Sequence, residues 1–116
     1  MDELEFVSGS WRDLQEFPLP VREIMAVALD WARQGTLHPD AKVLRGFGGV
    51  SVLEIREQHG GAAYRLVYTT KFAGFVYVLH AFKKKSTRGI ATPKKEMDKV
   101  QIRLKEAERL FRSNES

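Results

Sequence analysis

The spacing of apolar residues changes period along the chain, and each change marks an element. Leu4 to Val7, "LEFV", alternates weakly and reads as a short opening strand. "SWRD", Ser10 to Asp13, reads as a capping box with Ser10 as N-cap and Asp13 in the place of the usual glutamate, opening a short helix through Phe17. Pro18 and Pro20 break the chain and restart it. Val21, Ile24, Met25, Ala28, Trp31 and Ala32 then recur at helical spacing, with Gly35 suited to the C′ position, so a helix that buries one stripe, Trp31 included, is expected. Residues 35–49 are rich in turn formers and read as a loop entering a strand. Gly46, Gly48 and Gly49 make no dinucleotide fingerprint, because Ser51 stands where the third glycine would fall and no helix follows. Ser51–Glu57, Ala63–Thr70 and Phe75–Phe82 read as strands, and the short connections "EQHGGA" and "TKFAG" make them antiparallel neighbours. Thr92 as N-cap and Pro93 at the first helical position open a last helix. Its face is Met97, Val100, Leu104, Ala107 and Phe111. The order β-α-α-β-β-β-α implies an α+β fold, an antiparallel sheet with helices packed on one face.

Alternation sorts the strand side chains. If Leu53, Leu66 and Leu79 face the helices, then Glu54, Arg56, Arg65 and His80 share the open face, with Val76, Val78 and Phe82 beside them. Lys83, Lys84 and Lys85 leave the same edge. Such a face suits a phosphodiester, since arginine binds phosphate oxygens through two parallel hydrogen bonds and lysine adds point charge. Phe82 and its neighbours are either covered by the last helix or available to bases. Each residue also has a plainer reading. Arg56 beside Glu54 makes a surface ion pair of small energy, a lone strand histidine is commonly structural, and lysines protect sheet edges.

Charge sharpens this picture. The 116 residues carry a net +4. Residues 1–40 hold three basic and eight acidic residues, whereas residues 83–116 hold eleven basic and five acidic. An anionic partner for the C-terminal half follows from that gradient, as does a solvated basic helix. The length suits a single domain spanning residues 1–116, and 43% hydrophobic content supports a core. There is no cysteine, so disulfides and thiolate metal sites are excluded. No apolar run approaches the roughly 20 residues of a membrane span, and the acidic N-terminus lacks a secretory h-region. A cytoplasmic protein without membrane association is expected.

The segments "LRGFGGVSVLEIR", "YRLVY", "VLHAFKKKS" and "TPKKEMDKVQIRL" resemble, in order and spacing, the RelE/HigB superfamily of bacterial toxins, and most closely its phage-derived, HigB-like branch. "FPLPVREIMAVALDWARQG" fits that branch too, so nearly the whole chain is covered. The resemblance implies a compact fold related to small microbial ribonucleases, cleavage of mRNA on the ribosome, and a cognate antitoxin, often a helix-turn-helix protein. By position Arg65 matches the arginine near the scissile phosphate, and Lys84 the basic residue at the end of the last strand. Lys83 and Arg56 match basic positions, and His80 falls at the "LH" position. The chain departs from better-known members in carrying Glu54 where they have lysine. No tyrosine follows Tyr77 to supply a C-terminal catalytic group.

RNA can be cut without metal or cofactor, by attack of its 2′-OH on the adjacent phosphorus. The enzyme must take one proton, stabilise charge and return a proton. Arg56, Arg65, Lys83 and Lys84 are the expected charge clamp. His80, in preference to Glu54, is the expected base, and His80, Tyr68 or Lys84 the expected acid. Lys85, Glu54, Tyr68 and Phe82 complete the expected RNA contacts. His38, His59 and His80 are scattered, so no metal is expected. Three other readings remain: a nucleic-acid-binding module without catalysis, an interaction protein with a basic tail, and a degenerate toxin that retains only antitoxin binding.

Overall fold

The computed structural model describes residues 1–49, 51–85 and 92–115. Its elements are β1 (Glu3–Phe6), α1 (Ser10–Gln15), α2 (Leu19–Arg33), β2 (Ala41–Val43), β3 (Val52–His59), β4 (Ala62–Thr69), β5 (Phe75–Lys85) and α3 (Lys94–Glu115). The α+β class holds. The five strands form one sheet in the order β1-β5-β4-β3-β2. β2, β3, β4 and β5 pair antiparallel, while β1 lies parallel to β5, so the sheet is mixed. β2 falls inside the segment expected to be a loop; with three residues it is too short to show a period. Gly60 and Gly61, at φ 57° and 80°, form the two-residue turn between β3 and β4, where both positions need the left-handed region.

The expectation that all helices cover one face is corrected. Leu14 of α1, Phe17 of the link that follows it, and Val21, Met25, Ala28 and Leu29 of α2 pack against Leu53, Ile55, Leu66, Tyr68, Val76, Val78 and Ala81. Val100, Leu104 and Ala107 of α3 pack against the other face, on Val52, Val67, Tyr77, Leu79 and Phe82. β5 also carries a β-bulge: Val67 pairs with His80, but Tyr68 pairs with Val78, so Leu79 is skipped. Residues 75–78 therefore switch faces relative to simple alternation. Val76 and Val78 turn to α1 and α2, and Tyr77 and Leu79 turn to α3. His80 and Phe82, beyond the bulge, keep the face of Arg65.

Two hydroxyls expected to cap helices bind across the fold instead. Ser10 donates to the Val78 carbonyl at 3.2 Å, and Gly9 occupies the N-cap position of α1. Thr92 reaches the sheet, as described below. Gly35 takes the expected place just past α2, at φ 81°. Trp31 is not core: it is 38% exposed and meets the His38 ring edge-on at 5.2 Å. Ile24, on the same flank of α2, is 37% exposed. Among the described residues, no helix is long and apolar enough to cross a membrane.

Glu57, at the end of β3, has a pKa pushed up to about 7, first by burial and then by the neighbouring Asp40 carboxylate. A carboxyl whose folded pKa is raised binds its proton more tightly in the native state, so its contribution to stability is full below the unfolded value and is lost as pH rises toward 7. Glu57→Gln is therefore expected to gain stability over the parent protein progressively as pH rises from 4.5 to 7, and to show little gain below 4.5. Urea midpoints measured across that range check this.

Candidate nucleic-acid interface

The site lies on the α3 face of the sheet, where β3, β4 and β5 set side chains in rows. One row is Glu54, Val67 and His80; the next is Arg56, Arg65 and Phe82; the last is Gln58, Ala63 and Lys84. Directly opposed residues in antiparallel strands point to the same face, so Arg56 and Arg65 project on the same side. The start of α3 closes over these rows. Thr92 Oγ1 donates to Glu54 Oε2 at 2.7 Å and accepts from Arg65 Nη1 at 3.0 Å. The Arg65 guanidinium also lies 3.7 Å from Glu54 Oε2 and is buried. Arg56 and Lys84 remain half-exposed.

Phe82 forms the floor between these cations. Its ring stacks on His80 at 4.7 Å and lies under the Arg65 guanidinium at 6.0 Å. His80 is 2% exposed and held on both sides. Arg103 Nη1 donates to His80 Nδ1 at 3.1 Å and to the carbonyl of the bulged Leu79 at 3.0 Å. A guanidinium can only donate, so Nδ1 is the acceptor and the proton sits on Nε2. Nε2 then donates to Glu96 Oε1 at 2.8 Å. Burial lowers the His80 pKa first, and Arg103 and Lys99 lower it further, outweighing the pull of Glu96. Burial alone would raise the Glu96 pKa, but the hydrogen bond from His80 and the charges of Lys84 and Lys99 hold it below its ordinary value. At neutral pH the pair is thus a neutral imidazole and a carboxylate. The other Glu96 oxygen, Oε2, faces Lys84 Nζ at 3.7 Å.

The structure brings Arg56, Arg65, His80, Lys84, Glu54 and Phe82 to one face. It does not bring Lys83 or Tyr68 there. Lys83 pairs with Tyr64, on the α1 and α2 side, and its Nζ lies 5.9 Å over the Tyr64 ring. Tyr68 is fully buried in the α2 core, and burial pushes its pKa up to about 12. Its hydroxyl has no hydrogen-bond partner among the described residues. Tyr68→Phe is therefore expected to leave activity unchanged and to raise stability by up to about 1 kcal/mol, readable as a higher Tm, since it removes a buried unsatisfied group. The side chain of Lys85 lies outside the described residues. His80 reaches the face with both ring nitrogens engaged, Nδ1 accepting from Arg103 and Nε2 donating to Glu96.

Sequence reasoning missed Glu96, Thr92 as a bridge, and Arg103. A signal for two of them was present. Glu96, Val100, Arg103 and Ala107 follow one another at helical spacing, which places Glu96 and Arg103 along the margin of the apolar stripe.

Residues 12–105 match the family described as Phage derived protein Gp49-like (DUF891), and the chain belongs to it. Among solved structures, the isolated E. coli RelE toxin is similar, with a TM-score of 0.59 and 22% identity over 76% of this chain and 89% of that one. The family match bears out the expected phage-derived branch, and the likeness to RelE is one of fold. No curated protein matches the sequence.

Proposed function

We propose that this protein is the toxin of a toxin–antitoxin pair, an endoribonuclease that arrests translation in the cytoplasm by cutting mRNA on the ribosome. The observation that carries this reading is the meeting of Arg56, Arg65 and Lys84 at adjoining positions of three neighbouring strands, within a RelE-like fold. Half-exposed Arg56 and Lys84 meet the phosphodiester first. Arg65 joins them once Thr92 yields its hydrogen bond, an exchange of a neutral partner for a charge-assisted, two-pronged one. The 2′-OH supplies the nucleophile, so neither metal nor cofactor is required, and DNA is spared. A cognate antitoxin, of helix-turn-helix type, blocks this face.

Mapping 5′ ends of ribosome-bound mRNA after induction tests the reading. New 5′-OH ends paired with 2′,3′-cyclic phosphates are expected; intact messages would refute cleavage. The enclosure of Arg65 and His80 favours a second reading, in which the fold and antitoxin binding persist without chemistry. The same assay separates the two.

A further inference from the structure

Three proton acceptors border the cationic face: His80, Glu54 and Glu96. His80 has both ring nitrogens engaged, by Arg103 and by Glu96. Glu54 Oε2 already accepts from Thr92 at 2.7 Å and faces the buried Arg65 guanidinium at 3.7 Å, so giving up its charge would weaken that buried pair. Glu96 differs from both. His80 fixes one carboxylate oxygen, Oε1, at 2.8 Å. Among the described residues the only partner of Oε2 is Lys84, at 3.7 Å, longer than a hydrogen bond and so leaving acceptor capacity unused. A hydroxyl set beside that pair can donate to the carboxylate and accept from the ammonium.

We propose that Glu96 is the general base of this site and that His80 is a positioning residue that aims it. The proposal rests on the cleavage reading above. Glu96 Oε2 takes the proton of the 2′-OH as the 2′-oxygen bonds to phosphorus. The bond from phosphorus to the 5′-oxygen breaks, and the leaving oxygen takes a proton from the Lys84 ammonium. The proton on Glu96 then passes back to Lys84, which restores both groups and leaves a 2′,3′-cyclic phosphate and a 5′-OH. Glu96 is ringed by His80 and Lys84 from β5 and by Lys99 from its own helix, which hold it ionised before substrate arrives. The charge of an incoming phosphodiester offsets those cations and raises the basicity of Glu96 at the moment it is needed.

Single-turnover cleavage of ribosome-bound mRNA tests this, with a message bearing a 2′-deoxynucleotide at the cut site as the binding probe. Glu96→Gln is expected to slow cleavage by about 10²-fold or more while binding the deoxy message within about threefold of wild type. His80→Ala should lose most of the same factor. His80→Gln, whose amide N–H can replace Nε2–H, should recover to within about tenfold of wild type, a rescue that loss of packing alone would not give. If Glu96→Gln fails to bind the probe, Glu96→Asp, which keeps the charge and shortens the reach, must still lose about tenfold. Cleavage by either Glu96 variant at the wild-type rate, or equal slowness of both His80 variants, overturns the assignment alone. Absence of new 5′-OH ends with wild type overturns the cleavage reading and this assignment with it.

Discussion

Arg65→Ala is expected to abolish growth arrest and to lower mRNA cleavage by about 10³-fold, the scale of losing one preorganised charge donor to a developing oxyanion. Arg65 stands at the centre of its row, between Arg56 on β3 and Phe82 on β5, so a phosphate approaching either neighbour comes under its field. The residue is also structural. Its guanidinium is enclosed with Glu54 and Thr92, and removing one partner of such a buried pair costs about 3–5 kcal/mol. A loss of toxicity through unfolding must therefore be told apart from a loss through chemistry. Arg65→Lys does this. It keeps a positive charge beside Glu54 but cannot offer two parallel hydrogen bonds to a phosphate. It should fold, with a modestly lowered Tm, and still cleave at least about tenfold more slowly. Growth arrest at wild-type strength by either variant in folded form would remove Arg65 from the site.

The extent to which this architecture was legible depended on whether local pattern or long-range pairing decided each feature. The stripe of α3 could be read directly, because Val100, Leu104 and Ala107 are buried for the reason their spacing suggests. The hairpins could be read because paired glycines and short connections leave antiparallel pairing as the only geometry. The face assignment of β3 and β4 followed from alternation and put Arg56, Arg65 and Glu54 together. Alternation failed at Leu79, where one unpaired residue reverses everything before it, and no residue type marks that bulge. The same failure blurred the second layer: alternation left Val76, Val78 and Phe82 on the Arg65 face, covered by the last helix or open to bases, whereas the bulge sets Tyr77 and Leu79 there under α3. Ser10 and Thr92 misled in a similar way. A hydroxyl before a helix suggests a cap, yet both bind partners far along the chain, 68 and 38 residues away. The cluster of His80, Glu96 and Arg103 joins a strand to a helix that starts beyond it, and no local window contains that geometry.

Because α3 supplies both the cover of the sheet and side chains that organise the site, its docking should matter to activity as much as to stability. Val100 is fully buried among Val67, Tyr77, Leu79 and Leu104 on that face. Val100→Asp sets a carboxylate there with no partner, and burial of an unpaired charge belongs to the small class of substitutions costing more than about 4 kcal/mol. The least costly response of the chain is to release α3 from the sheet. That release withdraws Thr92 from Glu54 and Arg65, Glu96 from His80 and Lys84, and Arg103 from the Leu79 carbonyl. The expected result is a large fall in Tm together with loss of growth arrest. Ile102, two residues along the same helix and 68% exposed, supplies the control. Ile102→Asp adds the same charge to the same helix and should change stability by no more than about 0.5 kcal/mol, with toxicity intact. Thermal unfolding of the two variants, read beside growth curves, separates a helix that is cemented to the sheet from one that merely lies over it: equal stability of the two would mean that α3 is not the lid that holds this site in shape.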